Sequence, residues 1–232
     1  MATRDVEHHR DVASGGARAA VFGMSDGLLT NLALILGFAG AHPSGSVVRL
    51  AGMAGLIAGA CSMASGEWVS VQSQSELLQH ELSVERAAIA AHPDEERAEL
   101  QELYISKGLS PGLAEKMARE VMEIPELALE THAREELGID PSSLGSPWLV
   151  ARTSFGTFAI GALLPLLPWL FTGGAIAVWW SCGLGLVGAA GLGAVVGRFS
   201  GRPMVQGAVR QMLITSAAAA VTAGIGALVG SG

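Results

Sequence analysis

The sequence predicts an all-α membrane protein with five transmembrane helices and a helical domain inserted between the second and the third. Half of the 232 residues are hydrophobic and only 15% are charged, and the apolar residues form runs of about 20, the length that crosses a bilayer. The acids are concentrated elsewhere: 16 of the 21 lie between Glu76 and Asp140, against six basic residues, a net charge of −10. Nucleic acid is therefore excluded as a partner, because phosphate binding requires positive charge.

The apolar runs divide the chain into alternating polar and membrane segments. We expect the five spans near residues 17–41, 47–72, 150–171, 174–197 and 205–229. The corresponding segments are a polar N-terminal arm at 1–16, spans 1 and 2 at 17–75, an acidic helical domain at 76–149, and spans 3 to 5 at 150–232. Membrane lipid is accordingly an expected partner of this chain.

Basic residues at the ends of the spans predict the orientation. Arginines precede span 1, Arg152 opens span 3, and further arginines surround the turn between spans 4 and 5, whereas Arg49 is the one basic residue on the opposite flank. By the positive-inside rule, the N-terminus and the acidic domain lie in the cytosol. The compact chain suggests a bacterial inner membrane, with a eukaryotic organelle as the alternative location.

Prolines and glycines divide the acidic domain into helices. Span 2 contains no breaker after Val69, so it should continue as one long helix until Pro93. Prolines at 93, 111 and 125 are each suited to the first position of a further helix, and Gly108 and Gly138 to a helix end. We expect four helical segments and no strand in this domain.

Metal-ligating side chains recur in this domain at helical spacing. Residues three or four apart share one face of a helix, where carboxylates and an imidazole can converge on divalent ions. A solvated acidic surface is an equally good interpretation of the same pattern. The sets with this spacing are Glu81 and Glu85; Glu95, Glu99 and Glu102; and His132 and Glu136.

Two lone carboxylates in spans 1 and 2 predict a cation path through the membrane. Asp26 and Glu67 lie in segments that are otherwise almost uncharged, where an ionisable group costs about 2.5–3.5 kcal/mol and usually faces a polar pathway. Met63 is four residues before Glu67, and Met24 is close to Asp26. Thioether sulfur together with carboxylate oxygen suits Fe²⁺ better than Mg²⁺ or Ca²⁺.

Motifs in both spans resemble the vacuolar iron transporter family, including its nodulin-like and bacterial members. They are Phe22-Gly-Met-Ser-Asp-Gly-Leu in span 1 and Ala58-Gly-Ala-Cys-Ser-Met-Ala-Ser-Gly-Glu-Trp in span 2. Glu135-Glu-Leu-Gly-Ile and Leu163-Leu-Pro-Leu-Leu-Pro are similar to the same family. The resemblance covers nearly the whole chain after the first dozen residues.

The resemblance implies a homodimer with the ion path at its interface, proton-coupled export of Fe²⁺ from the cytosol, and glutamates of the cytosolic helices that collect metal. Asp26 and Met63 match the family's span 1 aspartate and span 2 methionine. The matching cytosolic acids are Glu81, Glu85, Glu99, Glu102 and Glu136.

Two positions depart from the best-studied type of this family. Gly55 stands where that type has a glutamate, so Glu67 is the candidate replacement acid in the membrane. His132 stands at a position that is often methionine, which exchanges a soft sulfur for imidazole. Mn²⁺ and Zn²⁺ are therefore alternative substrates beside Fe²⁺, and no organic cofactor is expected.

The leading hypothesis is a transporter and not an enzyme. The alternatives are a membrane-anchored di-iron oxidase and a metal sensor that does not transport. Di-iron sites in helical bundles characteristically use Glu-x-x-His pairs, and the sequence contains none. A sensor would leave Asp26 and Glu67 without a role.

Overall fold

The fold consists of α-helices throughout the described part of the chain, as the sequence predicts. The computed structural model describes residues 15–41, 44–136, 138 and 145–230. The N-terminal arm, with the exception of its last two residues, and much of the segment after Glu136 lie outside the described residues. The helices are α1 (Gly15–Gly40), α2 (Gly45–Ala91), α3 (Pro93–Ser106), α4 (Pro111–Met122), α5 (Pro125–Glu135), α6 (Pro147–Phe171), α7 (Gly174–Phe199) and α8 (Met204–Gly230).

Five of these helices are long and apolar enough to cross a membrane, namely α1, α2, α6, α7 and α8. The protein is thus an integral membrane protein with five transmembrane helices. The 47 residues of α2 extend over about 70 Å at 1.5 Å per residue, more than twice the hydrocarbon thickness of a bilayer. Only the apolar first part of α2 is therefore needed for the crossing.

The chain divides into two compact units. The membrane unit contains residues up to Val69 and from Pro147 onward, and the helical insert contains Ser70–Ser146. Helix α2 contributes its apolar half to the first and its polar half to the second.

Helices α1 and α6 pack against each other at glycines in the membrane unit. A Cβ at Gly27 would lie 2.1 Å from the backbone oxygen of Phe158, and one at Gly161 would lie 2.3 Å from the backbone oxygen of Met24. Neither position accepts a side chain unless the backbones separate. Asp26 directly precedes Gly27, so this contact fixes the backbone that carries the aspartate.

Side chains from neighbouring helices satisfy carbonyls around the two prolines of α6. Pro165 and Pro168 lie inside this helix, where proline removes a backbone donor. Asn31 Nδ2 donates to the Ala162 carbonyl at 2.6 Å, and Ser181 Oγ donates to the Pro165 carbonyl at 2.6 Å. These carbonyls therefore contact neighbouring helices.

The helical insert has its own apolar core. Leu100 and Tyr104 of α3 pack against Ala114 and Ala118 of α4. Prolines occupy the first positions of α3, α4 and α5, as the sequence predicts. Gly108, two residues after the end of α3, has a φ of 97°. A salt bridge joins Lys107, just after α3, to Glu135 at the end of α5.

Candidate metal centre

A fully buried histidine forms the centre of the candidate site in the helical insert. His132 lies on the buried face of α5 together with Ala128 and Ala133, and its side chain is 0% exposed. The Nε2 atom is buried without a hydrogen-bond partner. Burying a ring nitrogen without such a partner is unfavourable unless another group compensates for its lost hydration.

Three carboxylates from three segments surround the other ring nitrogen. His132 Nδ1 lies 3.1 Å from Glu136 Oε1, 3.3 Å from Glu85 Oε1 and 3.7 Å from Glu96 Oε2. One Nδ1–H can satisfy only one of these oxygens well, and Glu85 Oε1 is itself buried without a hydrogen bond. The geometry thus leaves negative charge without full compensation.

Local structure explains how each carboxylate reaches this point. Glu85 is on the polar half of α2, and Glu96 lies in the acidic first turn of α3, where the helix dipole favours negative charge. Glu136 directly follows α5, and its backbone N–H donates to the His132 carbonyl at 2.9 Å. This contact keeps the two residues on one face.

The pKa values of two of these carboxyl groups, those of Glu85 and Glu96, are raised. Burial raises the pKa of Glu85, the charge of His132 lowers it, and the charges of Glu136 and Glu99 raise it. Burial also raises the pKa of Glu96, with further upward contributions led by Glu85 and Glu99 and an opposing one from His132. A bound cation would relieve this repulsion.

Glu85, His132 and Glu136 could hold one metal ion, because one ligand atom from each lies within 4.8 Å of the others. Glu96 adds a fourth candidate ligand. One imidazole nitrogen with carboxylate oxygens suits Fe²⁺ and Zn²⁺, whereas Mn²⁺ relies more on oxygen. The chemistry of the donor set therefore fits a divalent transition metal.

The remaining predicted acids of the insert lie outside this group of ligands. Glu95 is exposed and lies 3.8 Å from His92 Nδ1, and Glu102 is exposed on α3. Glu81 is half-buried one turn before Glu85. Glu99 is close enough for its charge to raise the pKa of Glu85 and Glu96, so it lies at the edge of the cluster.

The sequence interpretation missed Glu96. Its spacing of three residues from Glu99 was a usable signal, but the helical spacing from Glu95 to Glu99 and Glu102 was equally regular. The pattern alone did not identify which side of α3 faces His132.

Three of the four predicted membrane residues, Asp26, Met63 and Glu67, have a local side-chain contact in the membrane unit. Thr30 Oγ1 donates to Asp26 Oδ1 at 3.0 Å, Met63 packs against the cluster around Phe158, and Met24 is half-buried on α1. Arg18 lies 3.8 Å from Glu67 Oε2. Within the described residues, no group of three His, Cys, Asp or Glu side chains forms around Asp26.

A buried amide adds a polar atom near span 2 that the sequence interpretation did not single out. Asn31 is 1% exposed, and its Oδ1 has no hydrogen-bond partner. A Cβ at Gly55 would lie 2.9 Å from this oxygen. The side-chain carbonyl of Asn31 therefore faces Gly55, the position at which the best-studied type of the resembled family has a glutamate.

Comparisons with known proteins agree with the resemblance. A profile described as the VIT family matches residues 17–227. A vacuolar iron transporter of Acanthamoeba castellanii is 36% identical over 97% of this chain and 83% of its own length. Vacuolar iron transporter 1 of Oryza sativa subsp. japonica is 33% identical, over 97% of this chain and 90% of its own length. On these matches, the chain belongs to the VIT family.

Proposed function

We propose that the protein transports Fe²⁺ out of the cytosol in exchange for protons and accepts Mn²⁺ as a second cargo. The observation that carries the proposal is the cluster of Glu85, His132 and Glu136, which could hold a divalent ion, in a chain with five helices suited to crossing a membrane. The names of its curated relatives describe iron transporters. No enzymatic step is required for this role.

The helical insert would collect the metal on the cytosolic side. Its ligands are Glu85, Glu96, His132 and Glu136, with Glu99 adding negative charge nearby. Carboxylates and imidazole must be deprotonated to bind metal, so this site would load at neutral pH. Release would follow when protons bind to the ligands or when a competing site takes the metal ion.

Asp26 would carry the ion within the membrane unit, assisted by Met63, Glu67 and Met24. A carboxylate can bind either a proton or a divalent cation, and a nearby cation favours the anionic form. Metal and proton would therefore compete for one group. Such competition is the simplest physical basis for exchange of one against the other.

We further propose a homodimer and a cytosolic insert. The arginines at 198, 202 and 210 flank the turn between α7 and α8, and the positive-inside rule would place that turn and the insert in the cytosol. A bacterial inner membrane stays a prediction, because the names of the relatives describe a vacuolar protein.

Flux measurements test the proposal directly. The purified protein would be placed in proteoliposomes, and Fe²⁺ uptake would be followed with and without an imposed pH gradient. We expect a gradient-dependent flux, and metal binding with no flux under either condition would contradict transport and favour a sensor. Oxidation of Fe²⁺ by O₂ at a rate that depends on the protein, without flux, would instead support the di-iron oxidase.

A further inference from the structure

The turn between α7 and α8 forms a tight corner of the membrane unit. Gly201 has a φ of 68°, and the Arg202 backbone N–H donates to the Gly197 carbonyl at 2.9 Å. A Cβ at Gly207 would lie 2.1 Å from the Gly193 carbonyl oxygen. The two backbones are therefore in direct contact beside this turn.

A basic cavity of about 520 Å³ opens at this corner. Two guanidinium groups, a hydroxyl and an amide provide hydrogen-bond donors, and the start of α8 adds the positive end of a helix dipole. Two glycines form part of its wall. The lining residues are Gly197, Ser200, Arg202, Gln206, Gly207 and Arg210.

The two arginines of this cavity have no salt-bridge partner among the described residues. No aspartate or glutamate follows Asp140 in the sequence, and no described carboxylate forms a salt bridge with Arg202 or Arg210. Two arginines around one cavity are suited to a phosphate group, which planar guanidinium groups bind through paired hydrogen bonds.

An apolar groove of about 800 Å³ continues from the cavity along α8. Gln206 and Arg210 line both spaces. Val205, Val209 and Leu213 follow one another at intervals of four residues in the groove, so they form one stripe about 12 Å long. A charged recess and an apolar channel therefore adjoin at shared residues.

We propose that this corner binds an anionic glycerophospholipid, with its phosphate at Arg202 and Arg210 and one acyl chain along the groove. Basic pockets between transmembrane helices are known to suit anionic headgroups. A free phosphate would fill only the cavity and leave the apolar groove empty, which is why we assign the lipid. The site would hold this lipid whether or not the protein transports iron.

Thermal unfolding of the delipidated, full-length protein in a neutral detergent tests the assignment. Phosphatidylglycerol, phosphatidylcholine or inorganic phosphate would be titrated separately, since a ligand that binds only the native state raises Tm. We expect phosphatidylglycerol to raise Tm more than either of the others. The double variant Arg202→Gln, Arg210→Gln should lower its apparent affinity by about tenfold or more.

Arg198→Gln is the matched control, because Arg198 lies in the last turn of α7 but does not line the cavity. Arg198→Gln should show the same rise in Tm with phosphatidylglycerol as the wild-type protein. Leu213→Ser should show a smaller rise with phosphatidylglycerol and an unchanged effect of phosphate. If the double variant does not fold, native mass spectrometry of the wild-type protein and the single variant Arg210→Gln would count retained lipid. We expect one retained phosphatidylglycerol per chain in the wild-type protein and its loss in the variant.

Three results would overturn the proposal. Equal stabilisation by the two lipids would mean that the headgroup is not recognised. Stabilisation by inorganic phosphate equal to that by phosphatidylglycerol would mean a small-anion site. If Arg198→Gln lowered the apparent affinity for phosphatidylglycerol as much as the double variant does, the attraction would be diffuse electrostatics without a defined site.

Discussion

His132 Nδ1 lies 3.7 Å from Glu96 Oε2, a contact that joins the buried face of α5 to the first turn of α3. Adjacent Glu95 points elsewhere and lies 3.8 Å from His92 Nδ1. Neighbouring residues on a helix are separated by about 100° around its axis. Two adjacent glutamates of identical chemistry are therefore placed in different surroundings.

This difference provides a matched pair of variants. We expect Glu96→Gln to weaken divalent metal binding by about tenfold or more, because even ligand-supporting contacts are usually worth 10–100-fold. Glu95→Gln should leave affinity nearly unchanged. Calorimetric titration of the full-length protein with Mn²⁺ and Zn²⁺ measures both. Equal losses in the two variants would mean that only the general acidic charge attracts the metal.

The same pair illustrates what could be predicted from the sequence. Prolines at 93, 111 and 125 correctly located the helix starts, because proline fits the first turn and breaks a helix interior. Spacing of four residues correctly paired His132 with Glu136. The rotation of α3 about its own axis depends on how Leu100 and Tyr104 pack against α4, and this tertiary information is absent from the local pattern.

In the membrane unit, the length of each apolar run was sufficient to predict five spans. The contact between Asn31 Oδ1 and the Gly55 position was not predictable, because it joins two helices whose register depends on packing. Polar residues that are neutral, such as asparagine, also give a weaker signal in a span than a carboxylate does.

A second prediction concerns metal preference at His132. Replacing the imidazole in His132→Gln removes the one nitrogen donor of the cluster, so Zn²⁺ binding should weaken by at least about tenfold and Mn²⁺ binding by less. Competition between the two ions in the wild-type protein and in the variant gives the ratio directly. An unchanged ratio would show that His132 supports the fold without contributing to selectivity.

A third prediction follows from the pKa values of Glu85 and Glu96, which burial raises. The metal-free native state then holds protons on these groups more tightly than the unfolded state does. Its stability should decrease as pH rises from the ordinary carboxyl pKa of 4.5 through the raised values. Divalent metal should reverse this loss and should itself bind more weakly at low pH.

Hydrogen exchange of amides in α3 and α5, corrected for the intrinsic effect of pH, would measure this change in the full-length protein. The double variant Glu85→Gln, Glu96→Gln should flatten the pH dependence, because neutral amides do not titrate. Protection that increases with pH in the metal-free wild-type protein would contradict the assigned direction.

A fourth prediction tests the contact between α1 and α6. Gly27→Ala would place a methyl group against the Phe158 backbone, and such overpacking typically costs about 1–3 kcal/mol. We expect a lower Tm for the full-length protein in detergent. Gly156→Ala on α6 is the control, since its Cβ would have no atom within 4 Å, and an equal decrease there would refute the specific contact.

The last prediction is that Asp26→Asn abolishes pH-driven Fe²⁺ flux while the protein still folds. Asparagine keeps the size of the side chain and can still accept a hydrogen bond from Thr30, whose Oγ1 lies 3.0 Å from Asp26 Oδ1 in the native protein. It cannot exchange a proton for a metal ion, because it is neutral at every relevant pH.

Thr30→Val separates this role from a structural one, because it removes the hydrogen bond to Asp26 and leaves the carboxylate. If Asp26 is the carrier, Thr30→Val should retain most of the flux and Asp26→Asn should lose it, with graded losses for Glu67→Gln and Met63→Ala. If Asp26 only supports α1 through this hydrogen bond, Thr30→Val should lower Tm, Asp26→Asn should change Tm little, and both variants should keep the flux per folded molecule. Proton-coupled flux near the wild-type rate in folded Asp26→Asn would exclude the carrier role, since no titrating group would remain at that position to exchange the two cations.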